Sequence, residues 1–350
     1  VAEAGRAELR FDKARIAGIV TTVGDRRVDF AAERERFGLS ESEADRLRRA
    51  IGLDRRQVVS GLQTTTDLCA QSARAVLAGC GVEPGAVQGL ILVTQSPDHA
   101  APSSAISLQH RLGLPVTSMA FDIRLGCSGF VYGLAVAFGL VQAGLDRVLL
   151  CVGDVASRFV DGEDHAIAPI MGDAGAAILI ERRDSDSWFQ LYSDGSGARA
   201  LMIPNSGFRH VPEDEGKPSL MHMDGAAVFN FTLQRVPGMM TDILAFAGKD
   251  MDAIDQFVLH QPNKYILTNL QKRMKIPADK ISMSTQSHYG NQNAASIPGT
   301  ISGFLSSHYA AGKVTSLFAG FGIGLSWGAC VLETDAIYAP PTQTYSGEEQ

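Results

Sequence analysis

The chain has 350 residues, 45% of them hydrophobic and 20% charged, and a net charge of −7 at neutral pH. That balance suits a globular chain of two domains or one fused pair, and it offers no basic run or aromatic–basic patch for a nucleic acid. No apolar run reaches membrane-spanning length free of charge or glycine, and the opening Val1-Ala2-Glu3-Ala4-Gly5-Arg6 has no apolar core behind it, so neither a membrane span nor a signal peptide is expected. Five cysteines without a CxxC spacing read neither as a disulfide scaffold nor as a zinc site, so a reducing compartment, the cytoplasm, is the expectation.

In chain order, residues 1–14 read as an extension, and the first strand is expected from Ala14 to Thr22. Glu33 to Ile51 is densely charged with spaced apolar residues, the pattern of a surface helix region. Thr64 to Gly79 reads as a helix, with Thr66 or Asp67 in its first turn and Gly79 or Gly81 at its end. Gly89 to Thr94 is a short continuous apolar run, and Ser103 to Leu112 a further helix. Such runs alternating with helices predict a parallel sheet covered on both faces.

The next stretch carries the first chemical signal. Phe121-Asp122-Ile123-Arg124-Leu125-Gly126-Cys127-Ser128-Gly129-Phe130 reads as a strand and a tight turn, and the apolar residues up to Leu140 read as a buried helix. Cys127 then sits at the N-terminus of that helix, where unpaired N–H groups and the helix dipole favour thiolate, the nucleophilic form. The plainer reading of a cysteine in apolar surroundings is a core residue, and Cys69, Cys80, Cys151 and Cys330 read that way. Arg147 to Val152 is a buried strand, Gly172 to Glu181 a turn and strand, and Arg182 to Trp188 the junction. This divides the chain into an extension (1–14), an N-terminal half with the cysteine (15–185), a C-terminal half (186–336) and a tail (337–350).

The second half echoes the first. The run from Gly81 to Gln95 resembles that from Gly248 to Gln261, Arg111 to Pro115 resembles Arg273 to Pro277, and Ala143 to Leu150 resembles Ala311 to Phe318. Three echoes in one order predict a duplicated α/β unit. The pseudo-symmetry puts His260 at the end of a strand and Asn291 in a turn matching that of Cys127. Ligands of open α/β sheets bind at such carboxyl ends, so the three are expected to meet where the halves join. Taken alone, His260 reads as a hydrogen-bonded structural histidine and Gly290-Asn291 as a turn, with His288 a nearby decoy.

The motifs LGCSGFVYGLAVA, GDAGAAILIE, FVLHQPN, SHYGNQNAASIP and GFGIGLSWGA together resemble the β-ketoacyl-ACP synthase III family of the thiolase superfamily, from about Ala14 to about Glu333. The resemblance implies a layered αβαβα fold, a homodimer, and a catalytic Cys127, His260 and Asn291. It implies an acyltransferase in which Cys127 takes an acyl group from an acyl-CoA or acyl-ACP. A malonyl thioester then loses CO2, His260 Nε2–H and the Asn291 amide donate to the enolate oxygen, and condensation gives a β-ketoacyl thioester. The oxyanion donors would be the Cys127 and Ile323 N–H groups, and neither metal nor redox cofactor is called for.

The chain departs from the family's pattern at the substrate-binding positions. Pro262 stands where many relatives have Ala, Tyr265 where they have an Arg that receives the acyl carrier protein, with Lys264 a partial substitute beside Asn263. Arg48 to Arg56 lacks the Trp that housekeeping relatives offer to the CoA adenine. Ala226 stands in place of an Asn near the pantetheine arm, Ile323 in place of a Gly, and Ala101 in place of a Phe that reaches into the partner's acyl pocket. These departures suggest a medium-length, branched or bulky acyl group and a specialised lipid or natural-product pathway. Two other readings carry the same residues: acyl transfer from Cys127 to an alcohol or amine with His260 as general base, and a non-catalytic partner subunit.

Overall fold

The computed structural model describes residues 5–209, 211–217 and 219–347. In chain order the strands are β1 (Ala7–Phe11), β2 (Ala14–Val23), β3 (Arg26–Asp29), β4 (Arg55–Val58), β5 (Gly89–Val93), β6 (Met119–Ile123), β7 (Arg147–Asp154), β8 (Ala174–Arg182), β9 (Ser187–Ser193), β10 (Leu201–Met202), β11 (His222–Met223), β12 (Gln256–Leu259), β13 (Val314–Gly322), β14 (Ser326–Thr334) and β15 (Gln343–Thr344). The helices are α1 (Phe30–Glu33), α2 (Glu41–Ile51), α3 (Thr65–Gly79), α4 (Ser104–Arg111), α5 (Gly129–Gln142), α6 (Gly225–Ala247), α7 (Lys264–Met274), α8 (Thr285–Tyr289), α9 (Ser296–Phe304) and α10 (Ser306–Ala311).

Two sheets carry the molecule. One runs β15-β2-β8-β7-β5-β6, the other β1-β9-β14-β13-β12. Within them β2-β8-β7-β5 and β9-β14-β13-β12 share one pattern: two antiparallel joints, then a parallel one. That is the duplication the echoes predict. It extends further, because β5 pairs in parallel with β6, and Phe257 of β12 makes a single parallel bridge to Ile281. Cys127 follows β6 as Asn291 follows Ile281, so the two turns occupy equivalent places.

Alternation along the strands sorts side chains into layers. In β5, Leu90 and Leu92 pack outward with Ala73 and Val76 of α3 and Leu108 of α4, while Ile91 and Val93 pack inward. The inward layer joins both sheets through Phe130, Leu134 and Phe138 of α5 and Ile297 and Ile301 of α9. On the far side, Val236 and Met240 of α6 and Leu267 and Leu270 of α7 cover Phe257, Leu259 and Leu317. Helices, sheet, helices, sheet, helices is the αβαβα order. Gly129 and Gly133, one turn apart on α5, let it lie close to its sheet: a Cβ at either would stand 2.5 or 2.7 Å from a Val93 methyl.

Two expectations are corrected and a third is resolved more finely. The stretch read as an extension contains β1, which pairs with β9 from Ala7↔Leu191 to Phe11↔Ser187; of its alternating apolar residues only Phe11 is buried, as suits a strand at the edge of its sheet. The stretch read as a tail contains β15, pairing with β2 at Thr22 and Val23. The surface helix region expected over 33–51 consists of two helices, α1 and α2. Gly38, at φ +59°, breaks the run, and Ser40 restarts it with a capping box to Glu43. Glu33 is buried there, because it pairs with the equally buried Arg56. The chain leaves the first sheet at Arg182 and enters the second at Ser187. Among the described residues no helix is long and apolar enough to cross a membrane.

Candidate active site

Each of the three candidate residues is delivered by the end of a regular element. Cys127 lies between β6 and α5, where Gly129 N–H closes the turn onto Gly126 carbonyl at 2.7 Å. His260 directly follows β12, its N–H continuing the ladder to Ala319 carbonyl at 2.8 Å. Asn291 is held by its backbone: its N–H donates to Ile170 carbonyl at 2.6 Å, and its carbonyl accepts from Gly172 N–H at 3.0 Å. Arg56, fixed by Glu33, donates to Met171 carbonyl at 3.2 Å and so braces that bridge.

All three line one cavity of about 430 Å³. Its other walls are mostly apolar: Ile170, Leu201 and Met223 from the first half's loops and the β10–β11 ribbon, Val228 and Phe229 from α6, Phe321 from β13. Cys127, His260 and Asn291 are 7%, 1% and 5% exposed, so a reaction here proceeds with few water molecules around it. Phe321 packs edge-on against the His260 ring at 5.6 Å.

Burial sets the protonation. It pushes the Cys127 thiol up to about 12; the backbone N–H groups of Ile323 and of Cys127 itself pull the other way, and Asp154 adds a smaller push upward. The thiolate expected from the helix dipole is therefore outweighed by desolvation, which costs a buried charge more than one helix terminus returns. Burial likewise drives the His260 imidazole down to about 3, so it is neutral at physiological pH. The resting pair is thiol and neutral imidazole.

Hydrogen bonds also orient the ring and the amide. Asn291 Oδ1 accepts from Asn293 N–H at 3.0 Å, which leaves the amide nitrogen as the group available to a ligand. His260 Nδ1 lies 2.8 Å from Ser296 Oγ. That hydroxyl donates to Asn293 carbonyl at 2.8 Å, so it accepts from the ring, and the resting proton is on Nδ1. The donor expected of His260 was Nε2–H.

Of the remaining candidates, Ala226 and Asn263 line the cavity, with Asn263 Oδ1 occupied in capping α7 through Ile266 N–H at 2.9 Å. Lys264 does not: it is exposed in a separate surface groove with Arg48 and Arg49, its stem against Gly52. Ala101 is exposed and outside this cavity's lining. His288 is turned onto Ser284 carbonyl and the Phe304 ring. Reading the sequence missed Ser296 and Asn293, although both stand in the Asn291-Gln292-Asn293-Ala294-Ala295-Ser296 run; Asn293 Oδ1 is 3.7 Å from the Cys127 sulfur. It also missed the stacked Phe229–Tyr265 pair, 5.3 Å apart, both lining the cavity.

Gly322 closes on the nucleophile. A Cβ there would stand 2.8 Å from Cys127 Cβ and 2.9 Å from its sulfur. Gly322→Ala should displace the sulfur and lower the rate of Cys127 acylation by about 100-fold, an overpacking strain of a few kcal/mol. Intact-mass kinetics with an acyl-CoA would read this, and a wild-type rate would show that the turn yields freely.

Residues 121–200 match the 3-Oxoacyl-[acyl-carrier-protein (ACP)] synthase III family, and residues 244–334 match its C-terminal part. A putative 3-oxoacyl-[acyl-carrier-protein] synthase 3 of Campylobacter jejuni is 33% identical over 98% of this chain and 100% of that protein. The beta-ketoacyl-[acyl-carrier-protein] synthase III of Streptococcus equi subsp. equi is 32% identical over 81% of this chain and 88% of that one. A crystal structure of a 3-oxoacyl-(acyl-carrier protein) synthase from Burkholderia xenovorans LB400 superposes with a TM-score of 0.93 at 35% identity, covering 97% of this chain and 99% of that one.

Proposed function

Because this chain belongs to the 3-oxoacyl-[acyl-carrier-protein] synthase III family, we propose that it carries out a decarboxylative Claisen condensation on Cys127. An acyl thioester enters the cavity. The Cys127 proton passes to the imidazole as sulfur attacks the carbonyl, the Cys127 and Ile323 N–H groups stabilise the oxyanion, and the leaving thiol takes the proton. A malonyl thioester follows and loses CO2. The enolate oxygen is held by the Asn291 amide and His260, and its carbon attacks the acyl-Cys127 carbonyl. The product is a β-ketoacyl thioester, and the sulfur regains a proton from solvent. These steps call for no metal or redox group.

The observation that carries the reading is the shared cavity of Cys127, His260 and Asn291, drawn from both halves of the chain. The test is release of CO2 from a malonyl thioester that depends on prior acyl loading of Cys127. Acyl transfer to an alcohol or amine would load the cysteine and release none.

The finer parts of the reading concern substrate, partners and place. The donors are an acyl-CoA or acyl-ACP, the acting unit is a homodimer, and the compartment is the cytoplasm. Ala101 is on an exposed loop outside this chain's own cavity; across the homodimer its small side chain leaves room in the partner subunit's acyl pocket for a medium-length or branched acyl group, as in a specialised lipid or natural-product pathway. Ala101→Phe should confine loading to short acyl groups, cutting the rate with an eight-carbon donor by about 10-fold, the scale set by a few methylenes in a filled pocket. A panel of acyl-CoA donors read by intact mass would show it; an unchanged chain-length profile refutes the assignment.

A further inference from the structure

The proposed reaction asks His260 for two opposite services at one nitrogen. During acylation, Nε2 must offer a lone pair for the Cys127 proton. During decarboxylation, Nε2 must carry a hydrogen for the enolate oxygen. A neutral imidazole has one N–H, so the ring has to change tautomer between the half-reactions. What sits at Nδ1 decides whether it can.

The side chain at Nδ1 is Ser296, fully buried at the start of α9 and 2.8 Å from the ring nitrogen. A hydroxyl, unlike a carboxylate or a carbonyl, can accept from Nδ1–H or donate to a bare Nδ1. In the resting arrangement it accepts, because its own hydrogen goes to Asn293 carbonyl at 2.8 Å. That carbonyl also accepts from the backbone N–H of Ser296. When the hydroxyl turns to donate to Nδ1, the carbonyl keeps a partner, so the rotation strands no buried polar group.

We propose that Ser296 is a positioning residue that lets His260 exchange tautomers between acylation and decarboxylation. This rests on the condensing reading of the site. The exchange is proton-neutral: one ring nitrogen gains a hydrogen, the other loses one, and solvent entering the open cavity carries it. No electron changes hands.

The two half-reactions separate the switch from a structural role. Ser296→Ala removes the hydroxyl that can donate to a bare Nδ1, which disfavours the Nε2–H tautomer and leaves Nε2 bare, the form acylation needs. Acylation of Cys127 by an acyl-CoA, followed by intact mass, should stay within about 3-fold of wild type. Release of CO2 from malonyl thioester by the acyl-loaded variant should fall by about 30-fold, and Ser296→Thr, which keeps the hydroxyl, should recover most of it. In the wild-type protein, 15N NMR of labelled histidine should find the His260 hydrogen on Nδ1 before acylation and a growing Nε2–H population after it. Equal loss of both half-reactions in Ser296→Ala overturns the switch, as does a resting His260 protonated on Nε2. A wild-type chain that gains no acyl mass at Cys127 overturns the condensing reading itself.

Discussion

Cys127→Ala should gain no acyl mass from any thioester donor, and condensation should fall by at least about 10⁴-fold, the scale of losing a covalent nucleophile. The other four cysteines serve as internal controls. Cys69, Cys151 and Cys330 are fully buried, Cys80 is half-buried, and none of the four lines the cavity that holds His260 and Asn291. The fold should survive, since replacing a sulfur by hydrogen beside an open cavity costs about 1 kcal/mol. Peptide mapping of wild type after acyl-CoA treatment provides the complement: the acyl group should sit on Cys127 alone. Acylation persisting in Cys127→Ala, or mapping to another cysteine, would remove the centre of the proposed chemistry.

Asn291→Ala divides the reaction differently. What holds residue 291 is its backbone, bonded to Ile170 carbonyl and Gly172 N–H, and alanine keeps both bonds. The substitution deletes the amide and the acceptor of Asn293 N–H. Loading of Cys127 should therefore proceed at close to the wild-type rate. Decarboxylation should slow by about 10²–10³-fold, as when one donor to a developing oxyanion is removed in a water-poor site. Single-turnover acylation and CO2 release, measured on one preparation, give the comparison. Equal slowing of both would assign the amide to binding instead.

Much of this site could be read from the chain alone, for a definite reason. Duplication leaves echoes in order, and those echoes align the Cys127 turn with the Asn291 turn. The sheets confirm that alignment down to the single Phe257–Ile281 bridge. What escaped the reading depends on packing. Whether Cys127 rests as thiol or thiolate turns on a balance of burial against N–H donors, and a sequence shows only the second. The role of Ser296 needs the distance to His260 across 36 residues of chain. β15 escaped because two polar residues, Gln343 and Thr344, carry no strand pattern, whereas β1 does alternate, Ala7-Glu8-Leu9-Arg10-Phe11, over a stretch too short and too exposed to stand out beside the charged residues around it.

Those two edge strands bind the halves to each other. β1, at the amino end, completes the sheet that otherwise belongs to the carboxyl half, and β15, near the carboxyl end, completes the other. The chain's two ends thus cross like laces. Each copy lends one border strand to the other's sheet, so splitting the chain at the junction leaves each fragment missing a border that the other owns. The cavity's opposing walls are cinched at two remote points, and hinge-like gaping between the halves is resisted without a single residue of the reactive centre being spent on it.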